Sequence, residues 1–383
     1  MASRRGARHL AGLILAFGLT AAGAESFPEK QTVTALAPAG PYRVYVSDIA
    51  VNHMVDGRLH VVDVDTARYV GVIPTAFAGQ SVLSPDRREI YVSTTYYSRL
   101  SRGTRTEVID IWDSTTLTHK GEIVIPDRRA QALNYKGLIT VSADSRWLFV
   151  QNATPASTVS VVDLRARRLA SEIATPGCWL ALPVRSAPQR FATLCGDGTI
   201  ETITIDESGA LKSQSRSDPI FDADGDPLFV HAEAINDRLF FVSYLGQVHE
   251  VDLSEDKPRL LARWPLVQGA DAKKAWRPGG YQLFAVHAAS GRLFVAMHPG
   301  GAEGSHKNPA AEIWAFDIAA RKRVARMPGH NAIALVAVPG TAPRLVALDA
   351  LKMGLVLIDA GAKPRVISRI DGVAEAATQL ELH

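Results

Sequence analysis

Hydrophobic and polar positions alternate along this chain in short runs, and one phrase recurs seven times: an apolar run, a gap, then a second apolar run closing on an aspartate. The first runs read RVYVSD, EIYVST, WLFVQN, RFATLC, RLFFVS, RLFVAM and RLVALD. The second runs read LHVVD, IDIWD, VSVVD, ITID, VHEVD, IWAFD and VLID, and they end at Asp63, Asp113, Asp163, Asp206, Asp252, Asp317 and Asp359. Subtracting successive positions gives spacings of 50, 50, 43, 46, 65 and 42. Short runs rich in Val, Ile, Phe, Tyr and Trp, bounded by turn residues, predict strands. A β-rich repeat near this period predicts propeller blades, units that bury their faces only by stacking on neighbours. Seven copies predict an all-β, seven-bladed β-propeller over 43–383, a ring whose sheet edges are short and protected.

Turn signals punctuate the runs at Ser84-Pro85-Asp86, Ser142-Ala143-Asp144, Gly196-Asp197-Gly198, Asn236-Asp237 and Ser290-Gly291. The closing aspartates read as acceptors for backbone and hydroxyl donors in the turn after each strand. They do not read as catalytic carboxylate pairs. Helical pattern is scarce; the best stretch, Asp271 to Trp276, is short and stops at Pro278-Gly279. Residues 25–42 read as an irregular arm or a strand that helps close the ring. Two repeats carry polar insertions, Ser98–Thr106 and Pro299–Pro309, and insertions in repeat folds collect on loops, often at a binding face.

The first 24 residues look like a removable export signal. Arg4, Arg5 and Arg8 form a basic start, Leu10 to Leu19 a short apolar core, and Ala22-Gly23-Ala24 a small-residue cleavage pattern. The apolar core is too short to favour a membrane span. Those three arginines account for the formal charge of +3, so the mature chain is near neutral. No Lys/Arg block with interleaved aromatics points to nucleic acid. An exported chain permits disulfides. The two cysteines, Cys178 and Cys195, flank two β-runs joined by the turn-like RSAPQ, and symmetric hairpin pairing sets them opposite each other. A structural disulfide is expected.

Signatures of resident chemistry are missing: there is no G-x-S-x-G elbow, phosphate loop, H-E-x-x-H or C-x-x-C. His298 and His306 share a loop, but spacing alone defines no metal site. Trp112, Trp147, Trp179 and Trp314 fall within β-runs, where they should pack between sheets. A freestanding exported binding propeller and a propeller hydrolase are the competing function classes, the second without any catalytic constellation to support it.

Longer phrases add specificity. SRLSRGTRTEVIDIWDSTTL, GCWLALP with LCGDGTI, SQSRS, FVSYLGQVHEVD, WRPGGYQLFAVHAASGRLFVAMHP, EGSHKNPAAEIWAFD and RVARMPG together resemble the heavy subunit of quinoprotein amine dehydrogenases. Within that family the chain is most like the aromatic amine dehydrogenase type, and Trp276–Asp317 carries the likeness most specifically. The resemblance implies half of a periplasmic α2β2 heterotetramer. Its cofactor, tryptophan tryptophylquinone, belongs to a small cysteine-rich light subunit, together with the carboxylate that removes the substrate's α-proton. A primary amine becomes aldehyde and ammonia, and electrons pass to a blue copper protein such as an azurin. On this reading the chain itself holds no cofactor and no catalytic residue; it binds the light chain and walls part of the substrate channel.

In related heavy chains an aromatic near the start of the first blade loop faces that channel. SDIAVNHMVDG places Asn52 there instead, beside His53. Tyr96 and Tyr97, with Arg99 and Arg102 of the first insertion, and Trp276, Arg277 and His306 of the most specific stretch, are the other residues expected to face the channel or the light chain.

Overall fold

The computed structural model describes residues 32–383. The expected export signal lies outside the described residues, as does much of the arm. From residue 35 onward the chain forms one compact unit. It is all-β: six antiparallel sheets follow one another in chain order, four of them four-stranded. The first sheet has seven strands because Arg68–Leu83 serves two four-strand sets, pairing with Gly57–Asp63 through its first half and with Glu89–Arg99 through its second. The chain turns sharply between those halves, with Ala76 and Ala78 both at left-handed φ (48° and 49°). Such angles cost alanine roughly 1–2 kcal/mol each. The buried Arg129 offsets that strain: its guanidinium donates to the carbonyls of Phe77 and Ala78 and to Thr95 Oγ1, while its backbone N–H donates to Glu107.

Each recurring phrase folds as two neighbouring strands. In six of the seven, the residue opening the first run lies opposite the closing aspartate, as in Arg43↔Asp63, Trp147↔Asp163 and Arg344↔Asp359. The fourth is offset, with Arg190 opposite Thr204. The closing aspartates mostly do what turn chemistry asks. Asp113, Asp163, Asp206, Asp252, Asp317 and Asp359 each accept backbone N–H groups from the next few residues. Asp63 differs: it takes a two-pronged contact from the buried Arg43 at 2.8 and 3.0 Å. The apolar runs fill the space between sheets, with Trp147, Phe149, Phe191, Phe240, Phe284 and Trp314 fully buried. Burying side chains of this size contributes about 1.5–3 kcal/mol apiece.

The described part of the arm, 32–42, supplies no closing strand. It is irregular, with Leu36 N–H donating to Thr115 O at 2.7 Å. The C-terminal strand Ala377–Leu382 takes that place instead, pairing antiparallel with Arg43–Asp48. The first strands of successive sets converge on a cavity of about 500 Å³, reached by Arg87, Lys136, Glu233 and Glu381. The expected short helix is present as Ala270–Lys273. Among the described residues no helix is long and apolar enough to cross a membrane.

Cys178 and Cys195 face each other in register and are joined by a disulfide. Replacing both by serine should lower stability by about 3 kcal/mol, the chain-entropy value for a loop of this size. Urea unfolding would read this as a lower midpoint, and an unmoved midpoint would count against a stabilising bond.

Candidate functional site

Antiparallel strands put alternate connections at opposite edges of a sheet. At one edge the connections are short turns, six of them organised by the closing aspartates. The opposite edge carries the second-to-third strand connections and the links between sets, and all the long excursions lie there. The candidate side chains other than Trp276 lie on this second edge, in three places.

The first place is the 3-10 segment Val51–Asp56, which holds Asn52 and His53, both exposed. Asn52 Nδ2 donates to Glu375 Oε1 at 3.1 Å. Two backbone segments are pinned here by one carboxylate that sequence reasoning passed over as a strand end. The buried Asp48 accepts from the N–H groups of Ala50 (2.7 Å), Glu375 (2.6 Å) and Ala376 (3.2 Å). His60 Nε2 stands 3.7 Å from the same carboxylate, and its Nδ1 shares a hydrogen bond with Tyr69 Oη at 2.8 Å. Burial alone would raise the Asp48 pKa, but the His60 contact and the three N–H donors outweigh it and hold the group at about 2.

The second place is the Ser98–Thr106 insertion. It is not a loop: Glu89–Arg99 and Arg102–Asp113 continue as paired strands to a tight turn at Leu100-Ser101. Across this solvated ribbon Tyr96 faces Thr106 and Tyr97 faces Arg105, where apolar alternation gives no signal. Tyr96 is 40% exposed and ties its hydroxyl to Asp110 at 2.6 Å, while Tyr97 packs edge-on against Phe77 at 5.7 Å. Burial, then the Asp110 hydrogen bond, pushes the Tyr96 phenol well above its ordinary pKa. Arg99 and Arg102 lie opposite each other at the exposed tip beside Leu100, which is 74% exposed.

The third place is a cleft of about 680 Å³. Its walls come from five connections: Tyr135; the stretch 227–230 with Phe229; Tyr244; Arg277, Gly280 and Tyr281; and, facing them, Glu303, His306 and Lys307 of the second insertion. The Arg277 guanidinium lies 5.4 Å from the Tyr244 ring, and Lys307 Nζ lies 5.9 Å from the Tyr281 ring. Tyr244 donates its hydroxyl proton to Ala302 O. Arg277 and His306 thus line one cleft. Trp276 does not join them; it is only 7% exposed, packs on Trp314 at 5.0 Å, and has the Arg326 guanidinium over its ring at 4.9 Å. His298, which shares a loop with His306 in the sequence, is buried with Nδ1 near Pro299 O at 3.1 Å.

With this geometry in place, similarity to known proteins decides the family. The model for "Methylamine dehydrogenase heavy chain (MADH)" matches residues 41–379. The chain belongs to the methylamine dehydrogenase heavy chain family. The methylamine dehydrogenase heavy chain of Methylorubrum extorquens is 28% identical over 84% of this chain and 78% of its own length. That of Methylobacillus flagellatus is 27% identical over 82% and 78%. In fold, the chain resembles the β-propeller domain of Cps50 from Myceliophteria thermophila, with a TM-score of 0.55 at 9% identity, covering 85% of this chain and 98% of that one. The amine dehydrogenase heavy-chain resemblance holds, and the relatives named here are of the methylamine type.

The Asp48 pin generates a pH prediction. A carboxylate held below its unfolded pKa near 3.9 stabilises the fold above that pH, and the contribution fades as pH falls toward the folded value of about 2. Hydrogen exchange at 50–56 and 371–376 should therefore accelerate between about pH 4 and pH 2. Asp48→Asn should show fast exchange there already at neutral pH, with a local loss of about 2 kcal/mol. Equal protection of both segments in the variant would show that Asp48 does not pin them.

Proposed function

We propose that this chain is the large, cofactor-free subunit of a periplasmic tryptophan tryptophylquinone amine dehydrogenase. The observation that carries the reading is the family match over residues 41–379, nearly all of the described chain. A heavy chain calls for a light chain, here two of each in a heterotetramer. The light subunit holds the quinone and the proton-abstracting base, and the quinone supplies the two-electron oxidation of the amine. This chain's part is to seat that subunit, wall the approach of a primary arylalkyl amine and leave a docking place for an azurin-like copper protein. Preference for aromatic over aliphatic amines rests on the likeness of SRLSRGTRTEVIDIWD and Trp276–Asp317 to the aromatic type. The segment read over 1–24 directs export.

We also read the first, seven-stranded sheet as two blades sharing Arg68–Leu83, which makes seven blades in a closed ring. The pairing of Ala377–Leu382 with Arg43–Asp48 supports closure, because the last strand completes the set that the first strand begins.

Purification of the native complex should give two kinds of subunit and a visible quinone absorbance band. The isolated chain should fold and yet reduce no dye when amine is added. Amine-dependent dye reduction by this chain alone would overturn the reading, and so would a purified chain that brings no small subunit with it.

The exposed Asn52 offers a polar side chain where the resemblance expects a ring. A ring there adds edge-to-face contact worth about 0.5–1.5 kcal/mol to an arylalkyl amine. In the assembled enzyme, Asn52→Phe should shift kcat/KM among amines by roughly two- to twelvefold, with the quinone absorbance unchanged. Unaltered selectivity across aliphatic and arylalkyl amines would place Asn52 away from the channel.

A further inference from the structure

We infer that the cleft between Tyr281 and the second insertion is the seat of an acidic, apolar-tipped segment of the light subunit. This rests on the heavy-chain reading and deepens it by naming the pocket and the chemistry of what fills it. Three observations converge. The walls are aromatic: Phe229, Tyr244 and Tyr281 present ring surface to a space of about 680 Å³, ample for one or two side chains. Aromatic walls of this kind favour an apolar or aromatic guest by offset or edge contacts.

The charge around those walls is unbalanced. Arg277, Lys307 and His306 line the cleft against the single carboxylate of Glu303. Among the described residues, Arg277 and Lys307 make no ion pair; each lies over a tyrosine ring instead. A guanidinium held against a ring keeps its N–H fork free to take a carboxylate through two bonds. A carboxylate next to an apolar side chain on the guest satisfies both features. A cationic amine substrate does not, because the basic rim repels it.

The cleft also lies on the loop-bearing edge of the sheets. Its residues 277, 281, 306 and 307 fall inside the stretch of sequence that most specifically resembles amine dehydrogenase heavy chains. That same stretch contains Gly280 at a φ of 121°, where an added Cβ would come within 2.7 Å of Ile333 O. The glycine lets the backbone pack tightly on Ile333 just before Tyr281, whose N–H donates to Ile333 O at 2.7 Å. Sequence features of the family and the shape of the pocket therefore coincide.

The test uses the assembled complex. Its dissociation on dilution is followed by mass photometry at low and high salt for wild type, for Arg277→Glu with Lys307→Glu, and for Arg277→Lys. The double variant should raise the subunit dissociation constant by roughly tenfold or more, as expected for a desolvated charge contact, and should flatten its salt dependence. Arg277→Lys should fall between the two, and thermal melts of each isolated heavy chain should be unchanged, which separates docking from folding. Unchanged dissociation of a complex that does form would overturn this inference and leave the heavy-chain reading standing. A wild-type chain that recruits no light subunit would overturn both. Protection of the cleft by phenylacetate, with assembly unaffected by the double variant, would make it a small aryl-carboxylate site and equally overturn the proposal.

Discussion

The structure depends on one long-range constraint, the pairing of the last strand with the first. Val44 faces Leu382 and Val46 faces Leu380 across a separation of more than 300 residues. Among the described residues every other ladder joins strands close in sequence, so this pairing carries the entropic cost of bringing the chain ends together. It is heavily reinforced. Leu380 N–H donates to Gln282 Oε1 at 2.8 Å, and Thr378 Oγ1 donates to Asn134 O at 3.2 Å. Glu381 accepts from Leu83 N–H and from Arg87. Burial raises the Glu381 pKa, so the arginine and the backbone donor keep this carboxyl tied to its place as well as partnered. Seven residues thus tie the last strand to several neighbouring sets at once.

That closure has a consequence for the site. The segment leading into the last strand holds Glu375 and Ala376, whose N–H groups end on Asp48 in the first strand. Glu375 also receives the Asn52 side chain. The lip carrying Asn52 is therefore ordered by the same event that joins the chain ends, and not by its own short 3-10 turn. A locally folded fragment lacking the C-terminal strand would lose both the ladder and the lip.

Much of the fold was legible because strand alternation is a local signal, and here it recurs with its own turn chemistry. The closing aspartates and the Cys178–Cys195 pairing followed from residues near one another in sequence. What escaped notice was non-local or solvated. The ribbon around Leu100 read as a loop because a strand exposed on both faces has no apolar face to show. Asp48 read as the end of a β-run, since its three N–H donors come from segments at both ends of the chain. The cleft was half legible: Arg277 and His306 came from the resembling stretch, but Tyr135, Phe229 and Tyr244 lie on separate connections that only the packed sheets bring together. Trp276 was expected to face the channel or the light chain because it opens the most specific resembling stretch; it is instead buried against Trp314.

The distribution of carboxylates bears on where chemistry can reside in an assembly of this kind. A general base needs a carboxylate with a free lone pair and an open approach. Asp48 has its oxygens occupied by three N–H groups, and Asp63 is clasped by Arg43. Six other strand-closing aspartates accept turn amides at the edge opposite the candidate residues. Asp110 holds both Tyr96 and His119, and Glu107 holds Arg105 and the Arg129 amide. These acids are engaged in holding strands, turns and corners together. At the ribbon tip and around the cleft, the loop-bearing edge presents arginine, lysine, histidine and tyrosine, with exposed carboxylates such as Asp56, Asp197, Asp218 and Glu303 elsewhere along it or beside them. Such a surface is suited to recognition.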